Sequence, residues 1–289
     1  MIGALANIML AAVKGIAGVL GNSYALIADA MESTLDVVGS IVVWSGLRIA
    51  MTPPDDDHPY GHGKAEPLAA IVVALGLIAA AVGIAIESIR EIHTPHHAPR
   101  AFTLVVLAAV VIVKETLFRL VLTVGTEVRS TASKSDAWHH RSDALTSCAA
   151  FIGISTALIG GKGYEMADDW AALFACIIIA YNGCRLIRPA LAEVMDAALW
   201  SDVEEHVREI AIGVDGVKGL DICTVRKMGL DFFVDLHVEV DGGISVRQGH
   251  DVAHRVKDSV RAANPAIRDV LIHIEPIGES PKKGGTPQI

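Results

Sequence analysis

Long apolar runs in the first 198 residues constrain the fold of this chain more than any other feature. Six of them reach the roughly 20 mostly apolar residues that an α-helix needs to cross a bilayer. They are residues 2–20, 25–51, 67–90, 101–124, 137–160 and 167–188. Turn-forming residues such as Gly21-Asn22-Ser23 and Pro53-Pro54 separate them. The sequence therefore predicts a polytopic α-helical membrane protein with six transmembrane helices in residues 1–198.

Composition supports this interpretation and excludes several other classes of protein. Hydrophobic residues make up 52% of the chain, a moderate excess, because residues 199–289 have the mixed composition of a water-exposed domain. The net charge is −9 with no basic cluster, so a nucleic-acid partner is not expected. The four cysteines form no Cys-x-x-Cys pair, which argues against a disulfide scaffold or a zinc knuckle.

The distribution of basic residues predicts the orientation in the membrane. One side carries Arg48, Lys64, Arg119, Arg129, Lys134, Arg185 and Arg188, and the other carries Arg90, Arg100 and Lys162. The side richer in Lys and Arg is ordinarily the cytoplasmic one. With six spans, both termini are then cytoplasmic.

The segment after the last apolar run has the pattern of a small α+β domain. Ser201 to Glu204 match a capping box, which predicts the start of a helix. Alternating residues predict strands over 219–227, 231–240 and 270–274, with a helix over 246–263. The order α-β-β-α-β predicts a cytoplasmic ferredoxin-like domain over 199–278, followed by a flexible tail over 279–289.

Ionisable residues inside two of the predicted spans indicate a metal site. Glu32 and Asp36 lie four residues apart in the second span, and His139 and Asp143 have the same spacing in the fifth. Each pair shares one face of its helix. Three carboxylates and one imidazole suit a four-coordinate divalent transition ion. The alternative is an interhelical hydrogen-bond cluster without metal, and Asp29 is open as a cap, a packing residue or an outer ligand.

Two further groups of candidate ligands lie outside the spans. The loop after the second span holds Asp55, His58 and His62, which form either a metal site or a solvated acidic loop. The C-terminal domain holds Asp221, His237, His250, His273 and Glu275. In that domain, His273 and Glu275 point to the same face of a strand. Ordinary surface histidines are the alternative there.

Taken together, these motifs resemble the cation diffusion facilitator family over nearly the whole chain, and its bacterial zinc and ferrous-iron efflux branch most. The resemblance is carried by six spans, the paired acids, the His-x-x-x-Asp of the fifth span and the α-β-β-α-β tail. The string from His58 to Glu66, His-Pro-Tyr-Gly-His-Gly-Lys-Ala-Glu, is the most specific part.

The resemblance implies a homodimer in the bacterial inner membrane that exports a divalent metal ion in exchange for protons. It places the transport site on Glu32, Asp36, His139 and Asp143, and a loop site on Asp55, His58 and His62. A binuclear cytoplasmic site would use Asp221, His237, His273 and Glu275, with His250 as a possible bridge. Lys64 would interlock the protomers through an acid below the sixth span, for which Asp196 is the candidate.

Three positions depart from the family pattern and bear on the choice of metal. Glu32 stands where relatives have Asp or His, Asp221 where they often have His, and Glu275 where they often have Asp. Zn²⁺ is the expected ion, with Mn²⁺, Fe²⁺, Co²⁺ or Cd²⁺ as alternatives. A membrane metalloenzyme and a non-transporting metal receptor are the rival classes, although no HExxH motif is present.

Overall fold

The structure, a computed structural model, describes residues 2–93, 99–127, 131–161, 163–164, 166–198 and 200–278. Within these ranges, the side chains of 2–6, 117, 120–122, 124–127 and 131–145 are not described. Six long helices come first: α1 (Ile2–Gly21), α2 (Tyr24–Ala50), α3 (Ala65–His93), α4 (Phe102–Glu127), α5 (Thr131–Gly160) and α6 (Ala167–Val194). The remaining elements are α7 (Ser201–Ile212), β1 (Gly219–Met228), β2 (Asp231–Val240), α8 (Val246–Ala263) and β3 (Ile267–Pro276).

The chain divides into two compact units. The first contains Met1–Trp44 and Ala70–Arg188, and the second contains Ser45–Ala69 and Pro189–Ile289. The core of the first unit is built largely from alanines, together with a few large side chains such as Leu26, Leu107 and Ile154. Small residues allow helix backbones to approach closely, which is how membrane helices pack when water does not drive them together.

Large apolar side chains cover the outer surface of this helical unit. Val105, Ile159 and Ile177 are 72%, 87% and 67% exposed, respectively. Among the described residues, α3 and α6 are long and apolar enough to cross a membrane. Two shorter apolar stretches, Asn7–Gly21 and Thr146–Gly160, are the fully described parts of α1 and α5. Each of the six predicted spans is a helix, and α5 begins at Thr131, six residues before the predicted start. That all six cross the bilayer stays a prediction.

A three-stranded sheet forms the centre of the C-terminal domain in the second unit. Its order is β1-β2-β3, with β1 antiparallel to β2 and β2 parallel to β3. The parallel pair is connected through α8, as a parallel connection requires. Val234, Leu236 and Val238 alternate along β2 toward a core that α7 and α8 cover. The α-β-β-α-β order is confirmed, whereas the predicted tail over 279–289 lies outside the described residues.

The predicted capping box at Ser201 is wrong, although the helix itself is confirmed. Trp200 occupies the N-cap position of α7 without a side-chain hydrogen bond, so Ser201 is already the first helical residue. The Trp200 ring packs edge-on against Phe232 at a centroid distance of 5.2 Å, and we infer that this packing directs the chain into the helix. A capping box does occur at α8, where Ser245 and Gln248 exchange hydrogen bonds.

Gly153 allows α5 and α6 to approach closely, and Gly153→Ala should therefore destabilise the helical unit. The added Cβ would run into the Cβ of Ala171 and would lie 3.0 Å from the carbonyl oxygen of Ala167. Overpacking of this kind costs typically about 1–3 kcal/mol. We expect a lower midpoint of thermal unfolding in detergent. Gly83→Ala is the matched control, because nothing lies within 4 Å of its added Cβ; equal midpoints for the two variants would contradict the close approach.

Candidate metal centres

The two acids of the second predicted span lie one turn apart on α2 and are partly removed from solvent. Glu32 is 8% exposed, and Asp36 is half-buried. Their spacing places both carboxylates on one face of the helix. His139 and Asp143 lie on α5, but their side chains are outside the described part of the chain. The structure thus describes one half of the predicted transport site.

A buried ion pair that sequence reasoning missed lies beside these acids. Lys14 of α1 is 0% exposed, and its Nζ lies 2.9 Å from Oδ2 of Asp29 on α2. The same ammonium donates to Oγ of Ser33 at 2.8 Å, and Ser147 of α5 donates to Oδ2 of Asp29 at 2.8 Å. The signal was available, because a lysine at the centre of a membrane helix costs roughly 2.5–3.5 kcal/mol and so requires a partner.

Another buried acid of the helical unit, Asp168, accepts hydrogen bonds at the start of α2. Its carboxylate accepts hydrogen bonds from Oγ of Ser23 at 2.7 Å and from the backbone N–H of Ala25 at 3.4 Å. It therefore satisfies backbone donors in the first turn of α2, where helices have no internal acceptors. The sequence offered only one signal for this contact, an acid at the start of an apolar run.

The predicted loop ligands come together in the second unit. The ligand atoms of Asp55, His58 and His62 all lie within 4.8 Å of one another. Nδ1 of His58 is 3.1 Å from one Asp55 oxygen, and Nε2 of His62 is 3.5 Å from the other. Two imidazoles and a carboxylate are a common donor set for Zn²⁺ and similar ions. Asp55 and His58 are exposed, so an ion bound here could exchange with solvent.

A backbone hydrogen bond in the loop favours the ionised form of Asp55, which is the form that can bind a metal ion. The backbone N–H of His58 donates to Oδ1 of Asp55 at 2.6 Å, which lowers the pKa of that carboxyl. Because folding lowers this pKa, the ionised Asp55 carboxylate stabilises the folded loop at every pH above the ordinary carboxyl pKa. This stabilisation is lost as the pH falls through the lower pKa of the folded state. Asp55 is therefore anionic at neutral pH.

Contacts within the second unit hold this loop in place. Nζ of Lys64 lies 2.5 Å from Oδ1 of Asp196 and donates to the carbonyl oxygen of Glu193 at 2.7 Å. Gly63 packs so closely on the β1–β2 turn that an added Cβ would lie 2.5 Å from the carbonyl carbon of Met228. Lys64 and Asp196 thus meet within one chain, and their role in joining two protomers stays a prediction.

The cytoplasmic ligands meet on the face of the sheet that the helices leave open. Asp221, His237 and Glu275 have ligand atoms within 4.8 Å of one another. Nδ1 of His237 is 2.7 Å from Oε1 of Glu275, and Nε2 of His273 is 3.6 Å from the same oxygen. His237 and His273 are register partners on β2 and β3. A register shift in β1 between Leu220 and Cys223 includes Asp221 and brings it to this cluster.

The remaining candidate, His250, lies in the other layer of the domain. It is an exposed residue of α8, which packs through Val252 and Val256 on the opposite face of the sheet. Its ring pairs with His254 at a centroid distance of 4.5 Å. A bridge from His250 to the cluster around His237 would therefore have to come from a second copy of the chain.

Comparison with known proteins identifies the family. A model described as the cation efflux transmembrane domain matches residues 1–195, and one described as the cation efflux protein cytoplasmic domain matches residues 200–277. This chain belongs to the cation diffusion facilitator family. Cation diffusion facilitators are membrane transporters that export divalent cations and are not enzymes. The chain therefore has the transmembrane domain of this family followed by its cytoplasmic domain.

Two relatives agree with this assignment, and one solved structure is similar over a short part of the chain. The manganese efflux system protein MneP of Bacillus subtilis is 32% identical over 283 residues, which cover 96% of this facilitator and 95% of MneP. Metal tolerance protein C1 of Arabidopsis thaliana is 33% identical, covering 95% of this chain and 61% of that protein. A solved structure titled MamM-CTD 215-293 is 26% identical over 26% of this chain and 96% of its own, with a TM-score of 0.26.

Asp55→Ala should weaken metal binding at the loop cluster at least tenfold, because it removes the anionic ligand and leaves two imidazoles. The measurement is a calorimetric titration of detergent-solubilised protein with Zn²⁺. The protein also carries Asp36→Asn and His237→Ala, which remove one ligand from each of the other two candidate sites. Asp57→Ala in the same background is the matched control, since it removes an exposed acid outside the cluster. Equal affinities for the two variants would show that the loop is merely a solvated acidic segment.

Proposed function

We propose that this facilitator exports Zn²⁺ from the cytoplasm in exchange for protons, by alternating access at a site formed by Glu32, Asp36, His139 and Asp143. The pair of acids one turn apart on α2 is the observation that carries the proposal. Two neighbouring carboxylates that are partly removed from water repel each other, and a bound cation or protons relieve this repulsion. A site of this kind fits a cargo that is a divalent cation.

The chemistry of the four ligands supplies the coupling to protons. The carboxylates and the imidazole must be deprotonated to bind a metal ion, so metal and protons compete for the same atoms. An imidazole has an unperturbed pKa of about 6.5, close to working pH, which makes His139 the natural exchanging group. Metal bound from the cytoplasm is then released outside as protons replace it.

The architecture proposed for this function assigns residues 1–198 to six membrane spans and residues 199–278 to the cytoplasmic domain. The exposed apolar side chains of the first unit support contact with a lipid bilayer. The protein would lie in the bacterial inner membrane with both termini in the cytoplasm. We propose a homodimer, supported by the open face of the sheet and by the place of His250 on the opposite layer.

The two other clusters would bind metal ions outside the transport site. The exposed loop cluster of Asp55, His58 and His62 would bind ions before or after transport. The cluster of Asp221, His237, His273 and Glu275 would bind metal in the cytoplasm and bias the dimer toward a transport-ready state. Both are proposed as regulatory or accessory sites.

Mn²⁺ is the second candidate cargo, and two observations favour it. MneP, a relative along nearly the full length, is named a manganese efflux protein. The proposed transport site contains three carboxylates, including the longer Glu32, and oxygen ligands suit Mn²⁺ better than they suit Zn²⁺. Fe²⁺, Co²⁺ and Cd²⁺ fit the same donor set. A non-transporting metal receptor is the alternative of another class, but it has no need of paired acids within a span.

Asp36→Ala and Asp143→Ala should each abolish metal-driven proton movement, because each removes one of the four proposed ligands. The measurement is Zn²⁺ uptake together with lumenal pH in proteoliposomes that contain the purified protein. Asp57→Ala serves as the control and should transport like the wild type. Retained transport in either ligand variant would overturn the assignment of the site, and an inactive wild type would favour the receptor.

Competition between ions in the same assay decides the cargo. If Zn²⁺ is the cargo, Mn²⁺ at tenfold excess should reduce Zn²⁺ uptake by less than half. Inhibition by an equal concentration of Mn²⁺ would instead identify a manganese exporter. Glu32→Asp is the informative variant, because a shorter carboxylate enlarges the cavity and should change the ratio of the two apparent affinities.

Removing the cytoplasmic cluster should weaken the response to metal without stopping transport. His237→Ala with His273→Ala removes both imidazoles, so we expect a metal concentration for half-maximal transport at least threefold higher, with measurable transport remaining. His206→Ala is the control, since His206 is an exposed histidine of α7 outside the cluster. An unchanged metal dependence in the double variant would mean that this cluster has no regulatory role.

A further inference from the structure

The buried pair of Lys14 and Asp29 occupies a central place in the helical unit that the proposed function leaves unexplained. Lys14 and Asp29 are 0% and 2% exposed. Three acceptors surround the ammonium: the Asp29 carboxylate at 2.9 Å, the Asp29 carbonyl oxygen at 3.4 Å and the Ser33 hydroxyl at 2.8 Å. All three of its N–H donors thus have an acceptor.

These contacts link the helices that carry the proposed transport ligands. Lys14 belongs to α1, Asp29 and Ser33 to α2, and Ser147 to α5. The hydroxyl of Ser147 donates to the same Asp29 oxygen that receives the ammonium. One carboxylate oxygen therefore joins three helices.

The position of these contacts along the helices relates them directly to the ligands. Asp29 precedes Glu32 by three residues, and Ser33 follows Glu32 immediately. Ser147 follows Asp143 by four residues. With a rise of about 1.5 Å per residue, the linked groups lie about one helical turn from the ligands on both α2 and α5.

We propose that Lys14, Asp29 and Ser147 form a positioning network, which sets the rotation and height of α2 relative to α5 and thereby holds Glu32, Asp36, His139 and Asp143 at coordination distance. This inference rests on the proposed function, because it assumes that these four residues bind the transported ion. Lys14 and Asp29 act through the ligands and do not touch the metal.

The charges explain why Asp29 is a counter-ion and not a further ligand. Its Oδ2 is already engaged by an ammonium and a hydroxyl, both of which are donors. A divalent cation at that oxygen would lie close to the ammonium in a site of low dielectric, where like charges repel strongly. The possibility that Asp29 is an outer ligand is therefore disfavoured.

A buried ion pair is weak evidence of added stability, and we propose that this pair serves to fix the geometry of the helices. Removing an outer partner that orients a metal ligand typically lowers metal affinity about 10–100-fold. A positioning role thus raises the KM for metal, whereas a purely structural role reduces the number of folded molecules and lowers only the apparent kcat. The two roles have different kinetic signatures.

Zn²⁺ uptake by proteoliposomes containing the full-length protein tests the proposal. Ser147→Ala removes the hydrogen bond between α2 and α5 and leaves the ion pair intact. We expect its KM to rise at least threefold, with kcat within twofold of wild type and an unchanged unfolding midpoint. Ser88→Ala is the matched control, since Ser88 is equally buried in the same unit and its hydroxyl has no hydrogen-bond partner among the described residues.

The double substitution Lys14→Met with Asp29→Asn removes both charges together and leaves no unpaired ion. We expect its KM to rise at least tenfold while kcat is largely kept. Wild-type KM values in Ser147→Ala and in the double variant would overturn the proposal, and if the double variant does not fold, Ser147→Ala decides alone. An inactive wild type, or an active Asp36→Ala, would instead overturn the proposed function, so the two failures are distinct.

Discussion

The cost of placing charge in a membrane interior is the constraint on which the helical unit depends. The ion pair between Lys14 and Asp29 offsets this cost for both charges. Asp168 offsets it by accepting hydrogen bonds at the first turn of α2. These described acids thus have protein partners that serve the fold. Glu32 and Asp36 lie one turn apart on one face of α2, where the proposed transport site would bind its cargo.

The second unit combines the loop that contains Asp55, His58 and His62 with the cytoplasmic domain. The loop is held by the ion pair of Lys64 with Asp196 and by the close contact of Gly63 with the β1–β2 turn. Arg226 of β1 also lies over the ring of Tyr60, with its guanidinium carbon 5.7 Å from the centroid. The loop cluster therefore rests on the same scaffold as the sheet.

The two faces of the sheet in the cytoplasmic domain carry different kinds of residue, and the candidate metal ligands lie on one of them. The helices cover one face with buried valines such as Val252 and Val256, and the pleat sends His237, His273 and Glu275 to the other. The register shift in β1 adds Asp221 to this open face. His250 lies on the helical layer, so the two sets of ligands can meet only between copies of the chain. This geometry is consistent with the proposed binding of metal between two copies of the domain.

The sequence by itself determined the six long helices, the α-β-β-α-β order, the three loop ligands and the strand residues of the sheet cluster. Apolar length, strand alternation and ligand spacing are local properties of the chain, and they survive folding. Tertiary structure alone decided the rest, namely that Lys14 reaches Asp29, that Trp200 replaces Ser201 as the cap of α7, and that His250 faces away from His237. Each depends on which distant segment lies opposite a side chain. Spacing along one helix or strand cannot specify that.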